Sequence, residues 1–237
     1  MLFCNTPKRE QKVERVLTKM RIRPSNQDEK CYVDIVAKVV FSRPSNRRNA
    51  IRAFENSKRL DAAEEAAVAL SISPSRSSIA KLDELIRVKT IFSYVFIEAL
   101  HDIIQTSENP RIRRMALDVL LDHAISDNQF LSSYAKAELK MFDSNDIVLV
   151  DETRRKTSRM LKLYEVIPKP LRVSLLAAAG WVSFDVGKFT GSNDFLIPLL
   201  SGTLGALAYA TWVGEGSTLN KHTLLQSLLV DAEKRQQ

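Results

Sequence analysis

The sequence predicts an all-α protein, a helical bundle followed by a C-terminal two-helix transmembrane hairpin. Three observations point there. Apolar residues recur at three- and four-residue spacing through most of the first 150 positions, the mark of one-sided helices. Glycine and proline are sparse, 7 and 8 in 237 residues, too few for the tight turns of a many-stranded sheet. Apolar residues thicken after Leu171, and residues 195–214 contain no Asp, Glu, Lys, Arg or His.

Each element follows from local signals. KREQKVERVLTKMRI (8–22) places Val13, Val16, Leu17 and Met20 on one helical face, and Pro24 ends it. Residues 29–41 are ambiguous: Ile35, Val36, Val39 and Val40 fit a helix face, whereas the β-branched content fits a strand. No partner strand is evident elsewhere, so helix is the expectation. Two short helices follow at 46–56 and 61–70. The second opens on acid and is alanine-rich, both of which favour helix. SISPSRSS (71–78) is a loop. From Ile79 to Ile104 the apolar pattern predicts one central helix of about seven turns. SENP (107–110) ends it and starts the next, with Pro110 in a first turn, where its missing N–H costs nothing. Residues 128–142 give another helix.

NPRIRRMALDVLLDHA (109–124) resembles a HEAT-type helical repeat, and SNRRNAIRAF (45–54) is a poorer echo. No fixed period recurs, so a small bundle is expected, with HEAT-like helix pairs as its variant.

A membrane span needs about 20 apolar residues. Residues 195–214 supply that length, with Tyr209 and Trp212 near the far end, as interfacial aromatics would be. Residues 171–189 form a weaker first arm, uncharged only over 173–184. Asp185 and Lys188 would sit inside or at the edge of the membrane, snorkelling toward headgroups. Gly202, Ala206 and Ala210, spaced by four, give the second arm a small-residue packing face. The expected organisation is a cytosolic helical domain (1–150), a basic amphipathic juxtamembrane helix (151–170), the hairpin (171–214) and a cytoplasmic helical tail (215–237). The alternative is a helical protein that buries its apolar hairpin.

Net charge is +7, unevenly spread. Residues 1–60 carry +9, 61–150 carry −5, 151–172 carry +4 and 173–237 carry −1. Arg154, Arg155, Lys156, Arg159, Lys162, Lys169 and Arg172 flank the hairpin, and its connecting turn holds no Lys or Arg. The positive-inside rule then places both termini in the cytoplasm. The same cluster suits anionic lipid headgroups. Cys4 and Cys31 belong to no CxxC or Cys/His cluster, so reduced thiols are expected. The opening residues carry no secretory pattern.

Chemistry-bearing patterns are few. No glycine occurs before Gly180, which excludes a P-loop and a dinucleotide fingerprint there. GxSxG, SxxK with partners and Cys/His pairing are missing. Glu98 and His101 in EALHD have the Glu-x-x-His spacing of di-iron carboxylate bundles, but the companion ligands are not legible. A solvated polar stripe of Tyr94, Glu98, His101 and Asp102 is the expectation. The N-terminal arginines (Arg43, Arg47, Arg48, Arg52) would attract phosphate-rich partners, yet no nucleic-acid motif or interleaved aromatics accompany them, which disfavours nucleic acid.

The functional expectation is therefore a non-enzymatic, membrane-anchored interaction protein without a cofactor or metal. Its partners are the bilayer, an unidentified protein and, through the small-residue face, a second copy of itself. The rival is a membrane-perturbing effector assembled into a pore, with Asp185 and Lys188 facing the lumen. An enzyme of unrecognised type ranks third.

Overall fold

The computed structural model describes residues 7–22, 29–88, 91–165, 174 and 196–236. Every regular element among them is an α-helix. The chain divides into two units, Met1–Asp146 and Ile147–Gln237.

The first unit holds α1 (Pro7–Lys19), α2 (Glu29–Ser42), α3 (Pro44–Ser57), α4 (Leu60–Ser71), α5 (Arg76–Arg87), α6 (Ser93–Thr106), α7 (Pro110–Ala124) and α8 (Gln129–Lys140). The ambiguous stretch at 29–41 is the helix α2. Side-chain oxygens open three of these helices. Ser75 accepts from Ser78 N, Asn109 from Arg111 N and Asn128 from Leu131 N, each satisfying an N–H with no partner inside its helix. Pro44 and Pro110 occupy first turns, where their fixed φ suits a helix start. α3 ends on Lys58 in the left-handed conformation (φ 47°, ψ 41°), whose N–H bonds to Phe54 O.

α6 is the centre. It packs on α4, α5, α7 and α8, and every residue from Val95 to Ile104 is buried. Phe96 meets Phe54 of α3 edge-on, with ring centroids 5.0 Å apart. A second core patch joins Val13, Val16 and Leu17 of α1 to Val33, Ala37 and Phe41 of α2 and to Val68 and Ala69 of α4. α4 buries five alanines, Ala62, Ala63, Ala66, Ala67 and Ala69. Small side chains let neighbouring helices approach closely, while alanine keeps α4 helical at little entropic cost.

The expected seven-turn helix from Ile79 to Ile104 is two helices, α5 and α6. The break falls where the apolar spacing lengthens from three or four residues to five, between Ile86 and Ile91. Val88 and Ile91 are accordingly exposed. The Ser93 hydroxyl donates to Ile86 O, supplying a partner to a carbonyl of the last turn of α5.

α9 (Ser144–Glu165) crosses the division between the units, and α10 (Leu196–Gln236) is a single helix of 41 residues. Asp143 and Asp146 start α9 reciprocally: Asp146 N donates to Asp143 Oδ1, and Asp143 N donates to Asp146 Oδ2. This is the capping-box arrangement, built from two aspartates.

The membrane expectation is corrected here. Among the described residues no helix is long and apolar enough to cross a membrane. An integral membrane protein with both termini cytoplasmic is therefore not supported. The physical reason lies in composition. Residues 195–214 lack charge, but only eight of the twenty are Phe, Ile, Leu or Val. The rest are Gly, Ala, Ser, Thr, Pro, Tyr and Trp, which dilute the large aliphatics. α10 runs on past Gly214 into polar sequence. The first arm at 171–189, with Asp185 and Lys188, lies outside the described residues except for Ser174.

Candidate functional site

The densest set of chemically capable side chains in the first unit lies where α1, α6 and α8 meet. Helical spacing builds it. Lys8 and Lys12 sit one turn apart on α1, Glu98, His101 and Asp102 share a face of α6, and Tyr134 and Glu138 sit one turn apart on α8. Residues three or four apart lie side by side on a helix, so each helix contributes a matched set.

Glu98 is the hub. Lys12 Nζ and the Tyr134 hydroxyl both donate to its carboxylate, one to each oxygen. Lys8 Nζ lies 3.9 Å from Glu98 and 3.6 Å from Glu138. His101 Nδ1 is 2.8 Å from Glu138 Oε2 without the alignment of a hydrogen bond. The His101 ring stands edge-on to Phe142 at 5.2 Å, and Tyr134 leans on Tyr94 at 5.5 Å. A cavity of about 200 Å³ opens beside Lys8, Glu98, His101, Asp102, Glu138 and Met141.

Burial and charge set the protonation states. Burial raises the Tyr134 phenol far above its ordinary value, and the hydrogen bond to Glu98 and the charges of Glu98 and Glu138 raise it further. Tyr94 rises too, by burial and then by the charges of Glu98 and Glu64. Both phenols stay protonated. Burial alone would raise Glu138, but His101 and Lys8 beside it outweigh burial and hold it below the usual glutamate range.

The expected solvated stripe of Tyr94, Glu98, His101 and Asp102 is therefore corrected. Glu98, His101 and Asp102 are buried because α1 and α8 cover them with complementary groups. Metal chemistry finds no support there: among the described residues no group of three or more His, Cys, Asp and Glu is placed to hold an ion. What the arrangement does is lock three helices together. Each carboxylate oxygen of Glu98 serves a donor of the fold, and the chain segments joined are 86 residues apart in the Lys12–Glu98 pair.

Two further polar contacts follow the same logic. His123 Nε2 lies 2.9 Å from Asp83 Oδ1, tying α7 to α5. Arg113 bonds Ile104 O at 2.7 Å and Asp146 Oδ1 at 3.1 Å. Burial raises the Asp146 carboxyl, and Asp143 adds to the rise.

The basic N-terminal block and the acidic block after it are in part each other's partners. Arg15 pairs with Glu64 at 3.0 Å and Lys19 with Glu65 at 3.0 Å, joining α1 to α4. Of the arginines on α3, Arg47 is turned back onto Phe41 O, whereas Arg48 and Arg52 are exposed.

In the basic cluster that begins at Arg154, Asp151 takes up Arg154 at 2.9 Å and Arg155 at 2.8 Å. Lys156, Arg159 and Lys162 are exposed on α9. Lys169 and Arg172 lie outside the described residues. Gly202, Ala206 and Ala210 fall within α10 at the expected four-residue spacing.

The chain matches no protein-family model, no curated protein and no solved structure. By its described residues it is an all-α protein.

Proposed function

We propose that the chain is a non-enzymatic interaction protein whose N-terminal unit holds an acidic partner protein. The observation that supports the reading is the outward face of α2 and α3. Ile35 and Val39, one turn apart on α2, are 53% and 63% exposed. α3 exposes Arg48 and Arg52, also one turn apart, and neither is committed to an acidic side chain among the described residues. Apolar anchors on one helix, with guanidinium groups that face no carboxylate on the next, are what protein interfaces use, and positive charge selects an acidic partner and speeds encounter.

The buried network of Glu98 supports the same reading. Its carboxylate accepts a structural donor on each oxygen, so Glu98 serves as a hub of the fold rather than as a general base. The burial of α6 on all sides favours a compact bundle over stacked HEAT-like helix pairs, in which each repeat touches only its neighbours.

The test is quantitative crosslinking in the native host, comparing the wild-type chain with Ile35→Glu/Val39→Glu and with Arg48→Glu/Arg52→Glu. Both double variants lie on exposed positions and should fold normally by circular dichroism. The expected result is loss of the same crosslinked protein from both. An unchanged crosslink pattern would refute the assignment of this face.

A further inference from the structure

A second cavity, of about 290 Å³, opens at one end of the first unit, between α1, α2, the end of α4 and the α6–α7 loop. Its wall carries Arg9, Asp34, Lys38, Ser71, Ile72 and Glu108 among others. Arg9 stands out. It is 6% exposed, its Nε is enclosed without an acceptor, and it forms no hydrogen bond or ion pair among the described residues. A guanidinium on so buried a side chain, with its Nε enclosed and no counter-charge, is unfavourable unless something completes it. Lys12, the other buried cation among the described residues of this unit, has Glu98 as its counter-charge.

The cavity holds the means to complete it. Asp34, half-buried on α2, is likewise without an ion-pair partner among the described residues. Arg9 and Asp34 line the same space, yet they do not pair with each other. Lys38 and Glu108, both exposed, complete the charged rim with one cation and one anion. Opposite charges held apart across a small cavity match a ligand that carries both signs. A planar guanidinium fork suits a carboxylate, and a carboxylate suits an ammonium group. The volume is at the small end of ligand pockets.

We propose that this cavity binds a small zwitterion of the amino-acid class, with its carboxylate on Arg9 and its ammonium group on Asp34. The site is independent of the α2–α3 docking face, so failure of one leaves the other standing.

The experiment uses the full chain and titrates each of the common L-amino acids, with inorganic phosphate and succinate as comparison anions, by thermal shift and then calorimetry. At least one amino acid is expected to raise the melting temperature and bind with one-to-one stoichiometry. Arg9→Met should abolish that binding while raising the melting temperature of the ligand-free protein, because an unmatched buried charge has been removed. Arg9→Lys keeps the charge but not the fork, and Asp34→Asn keeps the shape. Each should weaken binding by about tenfold or more. If Arg9→Met does not fold, these two carry the test. No response to any amino acid would overturn the proposal. So would a response that survives Arg9→Lys and Asp34→Asn, or binding of phosphate or succinate in place of amino acids.

Discussion

Replacing Glu98 by Gln removes one charge and almost no volume, so it isolates what the carboxylate does. Lys12 is 9% exposed and pairs with Glu98. Without that charge its ammonium is left enclosed. Removing one partner of a buried pair costs about 3–5 kcal/mol. The amide introduced by Glu98→Gln would keep an acceptor oxygen, which holds either Lys12 or Tyr134 but not both, so the lower end applies, about 3 kcal/mol. With a urea slope of about 2 kcal/mol/M, the unfolding midpoint should fall by roughly 1.5 M. The assay is urea denaturation followed by helical circular dichroism, with the slope checked for constancy. The pair Lys12→Met/Glu98→Leu should recover most of the loss, because a buried ion pair replaced whole by apolar groups is often neutral. A fall of less than about 0.5 M at unchanged slope would show that Lys12 does not depend on Glu98, and the three-helix lock would be refuted.

Other outcomes follow from the same geometry. Burial lowers the His123 pKa below 6.5, against the pull of Asp83. The unfolded chain then takes up the proton first, so stability is full above about pH 6.5 and is lost as pH falls through the depressed folded value. His123→Gln should flatten that slope, and a flat wild-type-minus-variant difference between about pH 5 and 8 would count against it. Glu138 is held below 4.5, so its contribution is full above pH 4.5 and is lost as pH falls through the folded value. Glu138→Gln should remove that acid-side loss in urea titrations. Lys58 adopts a left-handed conformation that glycine enters freely, so Lys58→Gly should stabilise by about 1 kcal/mol, and a loss of melting temperature would contradict this. Asn128→Ala removes the cap on Leu131 N and should cost about 1 kcal/mol by urea midpoint.

Much of this could be read along the chain, because its causes are local. Pro44, Pro110, Asn109 and Asn128 punctuate the helices through steric and hydrogen-bonding effects that act within a turn. The shared face of Glu98 and His101 follows from spacing alone. Their burial does not, because the groups that cover them come from Lys8 and Lys12 in α1 and from Tyr134 and Glu138 in α8. No periodicity signals a partner 86 residues away. The sign change between the first two charge blocks was the readable clue: α1 and α4 meet as opposite charges rather than forming separate solvated faces. The apolar stretch at 195–214 misled for a different reason. Freedom from charge is easy to see in a sequence, whereas true apolarity depends on how many of the residues are large aliphatics.

The lock between α1, α6 and α8 also orders the birth of the fold. Lys8 and Lys12 leave the ribosome well before their counter-charges on α6 and α8. At about 5–20 residues per second, Glu138 follows Lys8 by on the order of ten seconds. Until then Lys8 and Lys12 lack their counter-charges, although the α2 and α4 neighbours of Val13, Val16 and Leu17 are already made. The polar lock on the earliest made of the three helices is thus completed only when the latest arrives. For an all-helical chain that is an unusually non-local closing step, and it makes nascent α1 the segment on which chaperone capture or premature association would act.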